Sequence, residues 1–224
     1  NTTGAQVYGE AATLGAATVL TSTGSGAITF GNTLNGAQTL AINTSGITTF
    51  TGAVGGTTAL TSLTTDAGTA GSVAINGGVV NTTGAQIYGE AATLGAATVL
   101  TSTGSGAITF GNTLNGAQTL AINTSGITTF TGAVGGTTAL TSLTTDAGTA
   151  GSVAINGGVV NTTGAQTYGE AATLGAATTL TSSGSGAITF GNTLNGAQTL
   201  AVNTSGATVF NGAVGGTTAL TSLT

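Results

Sequence analysis

Tyr8 and Glu10 stand two residues apart, and the pair returns as Tyr88 with Glu90 and as Tyr168 with Glu170. Residues at i and i+2 of a strand share a face. A ring and a carboxylate on one face suit a hydroxylated ligand such as a sugar, so these six residues are the candidate ligand face. The same tyrosines also read as ordinary strand residues, with an apolar body and a wet tip. Carboxylates could also cleave a glycoside, but that chemistry needs two of them about 5 to 10 Å apart. With coils of about 20 residues, Glu10 and Glu90 would lie four coils and on the order of 19 Å apart. A glycosidase pair is excluded on that spacing.

Other chemistry is closed off by residue type. The chain has no Lys, Arg, His or Cys. Acid–base catalysis therefore lacks a histidine, and no serine has a basic partner to activate it. No ligand cluster for zinc or iron is present. Thr64-Thr65-Asp66-Ala67-Gly68, repeated at 144–148, places one carboxylate in a glycine turn. Calcium takes six to eight oxygens, so this Asp reads as a cap on its turn. The expectation is a protein that is not an enzyme and has no metal and no cofactor. Six N-x-[ST] matches begin at Asn1, Asn43, Asn81, Asn123, Asn161 and Asn203. A chain this rich in Asn and Thr makes them easily, and Asn at such places more often caps a turn.

The elements that must position these residues repeat. Residues 1–80 return at 81–160 with one change, Val7 to Ile87, and again at 161–224 with seven changes. Inside the unit, Leu20, Leu40, Leu60 and Val80 are spaced by 20, as are Phe30 and Phe50. A period of this length signals a solenoid, whose units cover one another's apolar faces. Locally the apolar residues alternate, as at Ile28 and Phe30 or Val73 and Ile75, which is the strand signature. Thr, Val and abundant Gly favour strands and corners over helix. The expected fold is all-β, a parallel β-helix with coils of about 20 residues and four coils per unit. It forms a single continuous solenoid over 1–224. Its core is expected to contain Leu20, Phe30, Leu34, Leu40, Phe50, Val54, Leu60, Ile75, Val80, Phe110, Phe130, Phe190 and Phe210.

Five acidic residues give a formal net charge of −5, and only 2% of residues are charged, against the ordinary quarter. Without a basic patch, nucleic acid is excluded as a partner. No apolar run is long enough to insert into a membrane as a helix. Asn1 and Thr224 both fall within repeat text, so the chain reads as a segment of something longer. Its expected partners are flanking repeats or like copies joined end to end, with surface glycans as a further class.

Phrases such as LTSTGSGAITFGNTLNGAQTLAINTSG, GAVGGTTALTSLTTDAG and INGGVVNTTGAQIYG resemble the repeats of filamentous-haemagglutinin-type surface proteins. These are large bacterial adhesins exported by two-partner secretion. The likeness is carried by the G-x-I-x-F strand at 26–30 and the Gly-Ala-Val-Gly segment at 52–55, and it extends over every repeat. It implies a right-handed parallel β-helix acting as a stalk or fibre on the bacterial surface or outside the cell, with binding modules elsewhere. The chain departs from that family in having no Lys or Arg and in copying itself almost unchanged. Both features suit a structural body that gives reach, cohesion or matrix strength. An adhesin region using the Tyr/Glu face is the alternative. An ice-binding solenoid is a remote one, since its threonine rows are interrupted.

Tight coils offer no extended loop to a protease. The folded chain is therefore expected to resist elastase and thermolysin at 25 °C, and trypsin has no Lys or Arg to cut after. Digestion followed by gel and mass analysis checks this; rapid fragmentation by elastase would contradict a tight solenoid.

Overall fold

The computed structural model describes residues 1–66, 70–146 and 150–224. It is all-β, a right-handed parallel β-solenoid of short strands. Three strand-bearing faces follow one another along the chain, beginning with Gln6–Tyr8, Ala12–Thr13 and Thr18–Ser22. We call these the first, second and third faces. Every strand pairs in parallel with the strand of the same face one coil away. At ~4.8 Å per coil, about ten coils make a rod on the order of 50 Å long.

The alternation read from sequence sets the burial. Ile28 and Phe30 point inward around Thr29, and Val73 and Ile75 do so around Ala74. Of the thirteen expected core residues, Leu20 and Phe210 are half-buried and the rest are buried. Those two lie near the ends of the rod, where Leu20 pairs only with Ile42 and Phe210 only with Phe190. Aromatic rings stack along the rod in three short columns. Tyr8, Phe30 and Phe50 occupy the first face, Tyr88, Phe110 and Phe130 the third, and Tyr168, Phe190 and Phe210 the second. Ring centroids within the stacks are 4.9 to 5.7 Å apart, close to the coil spacing.

That rotation of the aromatic columns shows how the units wind. One inward column of the first face runs from Gln6 through Ile28, Thr48, Val73 and Ala92, then on by Leu114 and Val134 to Val202. Its nine steps range from 19 to 26 residues and cover 196 in all, so a coil averages about 22. Gln86, the counterpart of Gln6, is not in that column. It lies on the third face between Leu63 and Ile108, and Gln166 lies on the second between Leu143 and Ile188. Among the described residues each 80-residue unit therefore supplies eleven strand positions, counting the single bridge at Val54, and makes eleven thirds of a coil. The expected coil of about 20 residues and four coils per unit are corrected accordingly, while the fold class stands.

Unequal corners account for the difference. Phe30 and Phe50 do stack at a step of 20, but Leu20 stacks on Ile42, and Leu40 on Leu63. The ladder fixes strand against strand and leaves corners free to differ in length at the surface. One such corner leaves the second face at Gly55, whose φ is +66°. A Cβ there would meet the backbone oxygen of Asn81 in the coil above, so both conformation and space require glycine.

Thr48 and Thr128 are fully buried, and neither hydroxyl has a hydrogen-bond partner. A buried hydroxyl without a partner costs about 1 to 3 kcal/mol. Thr128→Val keeps the shape and removes the hydroxyl, so it is expected to raise stability by about 1 kcal/mol. Phe110→Ala opens the middle of a stack and is expected to lower it by about 3 to 5 kcal/mol. Urea unfolding followed by circular dichroism measures both. A Thr128→Val variant less stable than the parent would show that the hydroxyl has a partner.

Candidate functional site: tyrosine and glutamate at the unit junctions

Tyr88 and Tyr168 are in strands Gln86–Tyr88 and Gln166–Tyr168, directly above strands of the preceding unit. Both side chains are fully buried. The Tyr88 hydroxyl donates to Gln86 Oε1 at 2.9 Å, and Gln86 Nε2 in turn donates to the carbonyl oxygens of Val80 (3.1 Å) and Thr101 (2.9 Å). The polar tip of the ring is thus satisfied inside the rod, and burial pushes its pKa far above the usual tyrosine value. Tyr168 repeats the arrangement through Gln166. Tyr8 makes the same bond to Gln6 at 2.9 Å but is only half-buried, in a coil that has a neighbour on one side.

The glutamates follow the tyrosines inward. Glu90 and Glu170 are buried at the corner after those strands, whereas Glu10 is exposed. Thr65 donates its hydroxyl to Glu90 Oε2 at 2.6 Å, and Thr145 does the same for Glu170. In each case Oε1 has no hydrogen-bond partner. The donor belongs to one unit and the acceptor to the next, so this bond clasps the junction. Burial raises both carboxyl pKa values, the threonine hydroxyl opposes the shift, and the negative charge of Asp66 or Asp146 adds to it.

The candidate ligand face is therefore corrected: Tyr88, Glu90, Tyr168 and Glu170 point into the rod and present nothing to a ligand, leaving Glu10 and part of Tyr8 outside. The i, i+2 spacing did place ring and acid on the same side, but that side is the inner one. Sequence spacing also missed the nearness of Asp66 to Glu90. Thr65 pairs with Tyr88 at a step of 23, so Asp66, the residue after Thr65, comes close to Glu90, two residues after Tyr88. A fixed step of 20 hides that contact. Of the Thr-Thr-Asp-Ala-Gly turns, residues 67–69 and 147–149 lie outside the described residues. Among the described residues there is no group of three potential metal ligands and no pocket. The threonine rows are mixed, as expected, with Thr21 stacked on Asn43.

No protein-family model matches the chain, and no curated protein or solved structure does either. The fold itself agrees with what the resemblance to filamentous-haemagglutinin-type repeats implies. What the geometry at the junctions can do is structural. A carboxyl whose pKa is raised by burial accepts the threonine hydroxyl of the preceding unit across the seam, one corner beyond the buried tyrosine.

The sign of the pH dependence follows. Glu90 and Glu170 have folded pKa values raised above the unfolded value of about 4.3. The folded state then binds protons more tightly than the unfolded one, so stability is full below the unfolded pKa and declines as pH rises through the folded value. The melting temperature is expected to fall on going from about pH 4 towards alkaline pH. The double variant Glu90→Gln, Glu170→Gln is expected to flatten that profile. Scanning calorimetry across the range decides, and a wild-type melting temperature independent of pH would contradict the assignment.

Proposed function

We propose that this chain is the structural body of a bacterial cell-surface or secreted fibre, of the kind that filamentous-haemagglutinin-type adhesins use to gain reach and cohesion. The observation that carries the reading is the continuous stack. One apolar core runs through about ten coils, and the residues best suited to bind something are enclosed within it. Each coil meets only its neighbours, so length is added by adding units without altering the core.

Units of this kind can be joined end to end. Strands such as Gln6–Tyr8 at one end and Ser222–Leu223 at the other have a paired strand on one side only. Unpaired parallel edges are templates for another strand. Flanking repeats of the same protein, or a second copy joined end to end, would continue the ladder. Leu63, the counterpart of Leu223, carries Gln86, the counterpart of Gln6, so Leu223 of one copy can take Gln6 of the next in the same register.

Negative-stain electron microscopy of the protein is expected to show unbranched rods, and compact round particles would contradict the fibre reading. Sedimentation of the chain, with and without an added polar coil bearing proline after Thr224, tests the ends. The unmodified chain, 20.8 kDa as a single copy, is expected to form end-joined species, and the capped one is expected to lose them. Monomer in both samples at high concentration would contradict end-to-end joining.

A further inference from the structure

Six Asn-Gly pairs occur in the chain, at Asn35, Asn76, Asn115, Asn156, Asn195 and Asn211. Such a pair is chemically labile, because glycine has no side chain to keep its amide nitrogen away from the Cγ of the preceding asparagine. The fold holds five of them shut. Asn35 Oδ1 accepts from the amides of Thr57 (2.9 Å) and Thr58 (3.1 Å), and Gly36 N donates to the Thr58 carbonyl at 3.2 Å. Asn115 with Gly116 and Asn195 with Gly196 repeat this arrangement. Gly77 N donates to the Phe50 carbonyl at 3.1 Å, and the Asn76 side chain lies so close to Gly95 that a Cβ there would meet its Oδ1. Asn156 and Gly157 do the same against Gly175 and Phe130. The sixth pair is open. Asn211 stands where the first two units have Thr51 and Thr131, one residue past strand Thr208–Phe210. It is exposed, and among the described residues neither its side chain nor Gly212 N has a hydrogen-bond partner. The openness belongs to this corner wherever it occurs. Thr51 and Thr131 are exposed too, and Gly52 N and Gly132 N are equally without a partner, although Gly77 and Gly157 of the next coil lie against those glycines.

We propose that Asn211-Gly212 is a self-modification site, at which the asparagine converts spontaneously to aspartate and isoaspartate within the folded rod. Gly212 N gives up its proton to solvent and bonds to Asn211 Cγ, while the side-chain nitrogen takes up a proton and leaves as ammonia. Water then opens the cyclic imide at one of its two carbonyls, giving aspartate or isoaspartate. No partner beyond water is needed. The Asn211 amide keeps its 2.9 Å bond to the Phe190 carbonyl throughout, so the stack does not have to open. The isoaspartate product lengthens the main chain at a corner, where the ladder tolerates differences in length. At the other five pairs the glycine amide must first leave a backbone hydrogen bond, which slows the attack by about tenfold or more. Each conversion adds one negative charge to a chain whose only charged side chains are five acids. The proposal requires the solenoid corner but not the surface-fibre reading.

Incubation of the full folded chain at mildly alkaline pH tests it, followed by unfolding, cleavage after glutamate and tandem mass spectrometry. Cleavage at Glu10, Glu90 and Glu170 leaves Asn195 and Asn211 in one peptide, 171–224, where fragment ions tell them apart. In the folded chain Asn211 is expected to convert about tenfold or more faster than any of the other five. In urea, where the hydrogen bonds are gone, all six are expected to convert at similar rates. Two variants separate the corner from its place in the chain. Asn211→Thr is expected to remove the fast site, and Thr51→Asn to add one between two coils. Equal rates at all six pairs of the folded chain, or a slow Asn211, would overturn the proposal. So would a Thr51→Asn chain, its circular dichroism spectrum unaltered, in which the new pair converts no faster than Asn35.

Discussion

The parallel ladder of backbone hydrogen bonds between coils is the constraint from which the other features follow. It holds each residue about 4.8 Å from its counterpart above and below. Like must therefore tolerate like. Aromatic rings do so by stacking, as in Tyr88, Phe110 and Phe130. Hydroxyls do so by bonding to one another, as in Ser25 and Ser45, whose Oγ atoms are 2.6 Å apart. Carboxylates do so only at a cost, since two like charges at this spacing repel by about 1 kcal/mol even in water, and Asp66 raises the pKa of Glu90 in the next coil. The five acids stand at corners, and Glu90 and Glu170 are buried under a threonine hydroxyl.

Eleven strand positions on three faces is the second determinant. Because eleven is not a multiple of three, every unit begins one face away from the last, and three units restore the starting orientation. Aromatic bulk is thereby shared among the walls of the core: the Tyr-Phe-Phe column lies on the first face in one unit, the third in the next and the second in the one after. The interruption at the Gly-Ala-Val-Gly segment travels in the same way, from Val54 on the second face to Val134 on the first. Each interruption therefore weakens one side of the rod while the sheets on the other two continue past it.

The Tyr/Glu pair shows how context reverses a reading. Residues of identical type and spacing are wholly or partly exposed at Tyr8 and Glu10 and buried at Tyr88 and Glu90. The second pair differs only in having a coil beneath it. Strand Ser62–Thr65 lies under Gln86–Tyr88, covers the ring and supplies the hydroxyl that Glu90 accepts. Amphipathic alternation reveals that two residues share a side of a strand. It does not reveal which side faces in when both are polar-tipped, because Tyr and Glu suit either environment once a partner such as Gln86 or Thr65 is supplied.

From sequence alone, the period, the i+2 alternation and the Gly and Asn corners determine a β-solenoid, and they name most of its core. Phe30, Phe50 and Leu34 sit where their spacing puts them. These are local properties, set by strand periodicity and by the backbone freedom of glycine. The coil step, the rotation of each unit by one face and the burial of the Tyr/Glu junction were decided only by tertiary structure. They depend on which strand lands on which after corners of unequal length. A step of 19 or 26 is equally open to a chain whose corners face solvent, so the ladder, closing as a whole, selects among them.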